Sequence, residues 1–191
     1  TRARREGVSV DVTERDIPIT IVGGTILVLL IPIAFMLWDF AHDTVLSGSS
    51  AGIITVSVVF VFVIGLAVAA VCGYMAGLIG SSNSPISGVG ILVVLIAAIL
   101  IKATFGDTDD SHVQALVAFT LFTAAIVFGV ATISNDNLQD LKTGQLVGAT
   151  PWKQQVALVI GVLFGSAVIP PILGLMYDAF GFVGAPGATE D

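Results

Sequence analysis

Five long apolar stretches without a single side chain charged at neutral pH constrain this chain more than anything else in it. No Asp, Glu, Lys, Arg or His falls within 19–37, 51–80, 86–101, 113–133 or 156–177. A helix crossing the hydrocarbon of a bilayer needs about 20 mainly apolar residues. On that measure the spans fall at about 17–38, 51–80, 85–101, 113–134 and 152–177. In lipid every backbone N–H and C=O must be satisfied within the segment, which leaves helices and closed barrels. The period-two alternation of a barrel strand is absent. The expected fold class is therefore all-α, a polytopic transmembrane helix bundle of about five spans.

Composition supports the same class and removes others. Hydrophobic residues make up 55% of the chain and charged residues 11%, against about 25% charged in an ordinary soluble domain. A mean hydropathy of +1.01 excludes a disordered chain and a water-soluble globule. The net charge of −7 offers no basic face, so nucleic acid is not an expected partner. One cysteine, Cys72, excludes a disulfide framework and a cysteine-based metal site within one chain.

Three regions follow: a polar N-terminal segment at 1–16, a membrane region at 17–178 and a linker or tail at 179–191. The first is too polar, and the apolar run behind it too long, for a secretory signal peptide. With a cytoplasmic N-terminus, five crossings place Arg2, Arg4, Arg5, Arg15, Lys142 and Lys153 inside and only Lys102 outside. Asp16 is the expected N-cap of the first helix, with Pro18 in its first turn. Pro32 and the Pro170-Pro171 pair should kink the first and fifth helices. A first residue other than Met and the small-residue run GAPGATED suggest a portion of a longer protein.

The second span is too long for one crossing. Thirty residues make a helix of about 45 Å, against a hydrocarbon core of roughly 30 Å. Gly80, Ser81 and Ser82 stand directly before Asn83-Ser84-Pro85, so the helix should break, or turn back, near 80–88. Ala69, Gly73 and Gly77 recur at intervals of four, as do Gly161 and Gly165, which suits close helix packing.

Polar groups concentrate at two places. A broken helix bares N–H groups and a positive dipole end, the arrangement that receives a carboxylate, and transporters put interrupted helices at their substrate sites. Asn83, Ser84, Ser87 and Gly88 are the candidate substrate-binding residues, Ser87 and Gly88 standing where such N–H groups point. The bland alternative is a polar turn. The second place is 134–144, expected as a polar loop on the same side. There Asn135, Asp136, Asn137, Asp140 and Lys142 are candidates for a gate or for ion coupling. Asp136 and Asp140 would share a face if that stretch were helical, with Lys142 able to offset one of them in a compact loop. The plain reading of this stretch is a capped loop.

Two other chemistries have partial signatures in the residues. Gly48-Ser49-Ser50-Ala51-Gly52 matches the G-x-S-x-G of serine hydrolases, but that elbow needs a strand before it and a nearby His and acid. The preceding residues are too few and polar, and His42 and His112 are placed in acidic outer loops. Asp39, His42 and Asp43 could meet Asp109, Asp110 and His112, yet no spacing enforces a metal geometry. No catalytic residue, cofactor or metal ligand is assigned.

Three segments carry a resemblance. GYMAGLIGSSNSPISG at 73–88, SNDNLQDLKTGQLVGATPWKQQ at 134–155 and ERDIPI at 14–19 are similar to segments of the oligopeptide transporter (OPT) family, bacterial members and yellow-stripe-like metal-chelate transporters in particular. The resemblance extends from about 14 to 182. It implies a secondary carrier of oligopeptides or metal chelates coupled to protons, in a bacterial inner membrane. It also implies that other helices of a longer transporter surround these five. The family's break is often Asn-Asn-Pro, and Ser84 here takes the middle place, so substrate class does not carry over. The rival readings are a non-transporting membrane scaffold subunit and an intramembrane hydrolase on Ser50.

Overall fold

The computed structural model of the chain describes residues 11–42, 44, 50–106 and 110–181. They form helices α1 (Ile19–His42), α2 (Ser50–Ile79), α3 (Ile86–Phe105), α4 (Asp110–Leu146) and α5 (Pro151–Phe180), with no strand among them. All five are long and apolar enough to cross a membrane. The all-helical, five-span expectation holds.

Helix ends show where local chemistry departed from expectation. The N–H groups of Ile21 and Val22 donate to the Pro18 carbonyl at 2.9 and 3.2 Å, so Pro18 itself is the N-cap of α1. Asp16 accepts from the neighbouring Ile17 N–H at 2.7 Å instead of capping the helix. Ahead of it, Asp11 caps the short 3-10 turn Val12–Glu14. The Thr13 backbone N–H, and then its hydroxyl, hold the Asp11 carboxyl below the usual carboxylate range. α1 and α5 run as helix through Pro32 and through Pro170 and Pro171.

The main correction concerns 134–146. Expected as a loop, this stretch is the last third of α4, so Asn135, Asp136, Asn137, Asp140 and Lys142 all stand on a helix. At 37 residues, α4 would be about 55 Å long, so its polar end outruns the hydrocarbon. The helix stops at Gly148, whose φ of 77° no side chain favours. Gly148 N–H donates to Gln145 O and Ala149 N–H to Gly144 O, the Schellman pattern that satisfies the last carbonyls. His42 and His112 likewise stand in helices, not loops: His42 ends α1 beside Trp38 and His112 lies in the first turn of α4 beside Phe105.

Packing centres on α4, which touches each of the other four helices and meets α2 most extensively. Phe60, Val68, Cys72, Val93, Val127 and Ala131 form one buried cluster where α2, α3 and α4 meet. Leu37, Ala41, Ile53, Ile101 and Phe119 form a second that draws in α1. α5 has no buried residue, although Trp152 N–H donates to Arg15 O at 3.2 Å. That bond sets the N-terminal segment and the start of α5 at the same end of the bundle, as alternating crossings require.

Of the expected small-residue contacts, one pair is real. Ser134 Oγ donates to Ala69 O at 2.7 Å, and a Cβ on Gly73 would lie 2.7 Å from Ser134 Oγ and 3.1 Å from Leu138 Cγ. Among the described residues a Cβ on Gly77 or Gly161 would meet nothing within 4 Å, and one on Gly165 would meet only Ile169 of its own helix. In the complete protein Gly73→Val should therefore destabilise by about 1–3 kcal/mol through overpacking. Thermal unfolding in detergent checks this against Gly65→Val, where a Cβ meets nothing within 4 Å.

Candidate functional site

The interruption expected near 80–88 is present. α2 ends at Ile79, and Gly80 turns the chain at φ 83°, its N–H still bonded to Ala76 O at 3.0 Å. The 3-10 turn Ser81–Asn83 follows, closed by Ser84 N–H on Ser81 O at 3.1 Å. Pro85 then starts α3 without a side-chain cap, its carbonyl accepting from Val89 N–H at 2.9 Å. The N–H groups of Ile86, Ser87 and Gly88 thus have no backbone partner among the described residues. A helix start of this kind presents unpaired donors and a positive dipole end.

The turn rests on α4 as well as on α2. Register explains this. Ala69–Ser134 and Gly73–Leu138 are each 65 residues apart, so the end of α2 arrives at the polar third of α4. Asn135 lies one turn beyond the buried Ala131 and is 2% exposed. Its Nδ2 donates to Asp136 Oδ1 at 3.3 Å, while its Oδ1 has no partner among the described residues. Ser84 Oγ and Asn137 Oδ1 are also buried and unbonded. Asn83 belongs to the turn by its backbone, and its side chain lies outside the described residues.

Not every predicted residue converges. Ser87 lines an apolar groove of about 530 Å³ between α3 and α4, with Gly90 and Phe128. Asp140 lines a separate groove of about 510 Å³ between α4 and α5, with Gln154 and Gly161. Gln154 seats its amide against Gly144, where a Cβ would collide with it. Lys142 offsets neither acid: its Nζ donates to Gln145 Oε1 at 3.0 Å. Asp136 and Asp140 do share a helix as four-apart neighbours.

Ser57 and Thr123 escaped the sequence reading. Each is 1% exposed with an unbonded hydroxyl, and the 65-residue register brings Ser57 to the level of Phe122 and Thr123. Single hydroxyls in an apolar run gave no sign of this. For the metal reading, Asp43 and Asp109 lie outside the described residues, and no group of three potential ligands occurs among the described ones.

An orphan oxygen in a packed seam has a measurable consequence. Asn135→Leu should keep stability within about 1 kcal/mol of the parent, because a shape-matched apolar group removes an unpaid desolvation. Asn135→Asp should lower it by several-fold more, since it buries an unpaired charge. Unfolding of both variants in detergent reads the difference.

Residues 6–191 match the protein family described as OPT oligopeptide transporter protein. The chain is 55% identical over 127 residues to a Haemophilus influenzae protein named "Putative oligopeptide transporter", covering 64% of this chain and 20% of that one. It is 31% identical over 91 residues to "Probable metal-nicotianamine transporter YSL10" of Oryza sativa subsp. japonica, 48% of this chain and 13% of that one. It is also 31% identical over 84 residues to the metal-nicotianamine transporter YSL2 of Arabidopsis thaliana, 44% of this chain and 12% of that one. The matched lengths are thus a fifth or less of these relatives. No solved structure matches.

Proposed function

Because this chain belongs to the OPT oligopeptide transporter family, we propose that its five helices form part of a secondary carrier for oligopeptides or related metal-chelate solutes. The protein is an integral membrane protein, and family and relatives are transporters, which removes the hydrolase reading of Ser50. The observation that carries the transport reading is the interruption between α2 and α3. Its uncapped N–H groups at Ile86, Ser87 and Gly88 suit a solute carboxylate, with Asn83 and Ser84 beside them. A peptide and a carboxylate-bearing chelate both supply that group. The remaining helices of a longer transporter would close the other side of the site.

Asn135, Asp136, Asn137, Asp140 and Lys142 are assigned to the gate, on a helix that leaves the hydrocarbon at the same end as the break. Protons are the proposed coupling ion, with Asp136 and Asp140 as the groups that take them. The proposed setting is a bacterial inner membrane with a cytoplasmic N-terminus, which keeps Arg15, Lys142 and Lys153 inside.

Cysteines introduced singly at Ser82 and Ser87, in the complete carrier freed of other reactive thiols, should react with a membrane-impermeant maleimide and be shielded by substrate. Ser84→Cys should react more slowly, because the Ser84 hydroxyl is buried. Cys72, fully buried, adds no background. Resistance at Ser82 and Ser87 would leave the scaffold reading in place. For coupling, replacing Asp136 and Asp140 together by Asn should abolish uptake driven by a pH gradient while substrate exchange persists; unchanged pH-driven uptake removes both acids from that role.

A further inference from the structure

We propose, resting on the carrier reading above, that Asn135 is a positioning residue of the solute site. It holds the Ile86 N–H through one buried water and so leaves two amides, those of Ser87 and Gly88, for the solute carboxylate.

Helix register puts Asn135 there. α3 and α4 run antiparallel: Ser87 and Phe128 line one groove between them, Lys102 and Val113 the other. Gly90 faces Phe128 so closely that a Cβ on it would lie 2.6 Å from ring carbon Cε2. Asn135 stands seven residues beyond Phe128, two turns along the same face of α4. Seven residues back from Gly90, the chain has passed Ile86, the first residue of α3, and entered the Ser81–Asn83 turn. Side chains on a helix lean toward its N-terminus, which brings the Asn135 amide back to the level of Ser84 and Ile86. The contact between that turn and α4 agrees. So does Ile86, which packs against the buried cluster containing Ala131, one turn before Asn135.

Three groups at this level lack partners. Asn135 is 2% exposed, and its Nδ2 donates to Asp136 Oδ1. A carboxylate takes the amide nitrogen, which turns Oδ1 toward the break. That Oδ1 and Ser84 Oγ are both buried without a hydrogen bond among the described residues. The Ile86 N–H has neither a backbone partner nor a side-chain cap among them. Buried polar groups in folded proteins are satisfied, by ordered water where protein does not serve.

Chemistry selects the occupant. The positive pole of α3 repels a cation. A carboxylate oxygen donates nothing, so it would leave Asn135 Oδ1 unpaired. Water accepts from the Ile86 N–H and donates to both oxygens, three bonds being usual for a buried water. Ile86 is half-buried, whereas Ser87 and Gly88 are exposed. The two open donors then match the two oxygens of one carboxylate. Without the water, the first turn of α3 loses its polar tie to α4, and the pair of donors loses its fixed position.

The test uses the complete carrier. A cryo-electron map fine enough for ordered water should show one density about 3 Å from Asn135 Oδ1, Ser84 Oγ and Ile86 N, and Asn135→Leu should remove it. Uptake into vesicles is then compared for tetra-alanine and its C-terminal amide. Wild type should favour the free acid. Asn135→Leu should raise the KM of the acid about ten-fold, the weight of one hydrogen bond, at the same maximal rate and with little change for the amide. Ser84→Ala should move the acid in the same direction by less. A wild-type map without that density, or an acid-to-amide preference that Asn135→Leu leaves intact, would overturn the proposal. A wild-type carrier indifferent to amidation would instead remove the carboxylate reading of the break, and the map alone would then decide the water. The wild-type map needs no variant, so a poorly folded Asn135→Leu protein does not shield the proposal.

Discussion

Inside a bilayer no water stands ready to satisfy a backbone amide, and this rule shapes everything in the chain. It forces five helices from five apolar stretches, and it also makes any interruption costly unless protein or solute takes up the freed groups. Four helices here end at a glycine with positive φ, at Gly80, Gly106, Gly148 and Gly181. Three of those ends precede segments that leave the membrane region or the described residues. Gly80 and Gly148 are each followed within six residues by another apolar helix that starts without a side-chain cap, and after Gly80 that helix is α3.

What fixes the position of that uncapped start is the seam between α2 and α4. Ser134 Oγ on Ala69 O and the close approach at Gly73 pin the two long helices in one register. Side-chain hydroxyls and small residues do this work in membranes, where burial of apolar surface gives no preference for protein over lipid. Because the register is fixed, the turn after Gly80 meets α4 at its polar third rather than among phenylalanines. The orphan oxygens of Ser84, Asn135 and Asn137 follow from the same placement.

Much of this was legible in the sequence. Hydropathy located all five helices, and the Gly80-to-Pro85 punctuation located the break, because both are local properties. The misreading of 134–146 has a physical cause. Polar residues there resemble a loop signal, yet no helix breaker intervenes before Gly144, and Ala131, Ser134, Leu138 and Leu141 continue the packing stripe at spacings of three and four. Leu138 lies against Gly73, a contact across 65 residues that no local pattern reveals. The burial of Asn135 was hidden for the same reason. Gly77, Gly161 and Gly165 show the converse error: spacing alone suggested contacts that the described helices do not make.

The separation of the two candidate regions bears on how a carrier could couple them. Ser87 opens on the α3–α4 side and Asp140 on the α4–α5 side, so α4 stands between the proposed solute site and the acid. On the proposed coupling role, a proton at Asp140 would act on the break across α4, since the two open on different sides of that helix. Such a step would move α4, or shift α5, which touches α4 through Gln154 on Gly144 and contributes nothing to the buried core. Of the two, α5 is the lighter element to displace, since moving α4 would disturb both buried clusters. A coupling route through α5 would leave the α2–α4 seam intact and keep the break in place, and it would require α5 to have two arrangements that both sites bias.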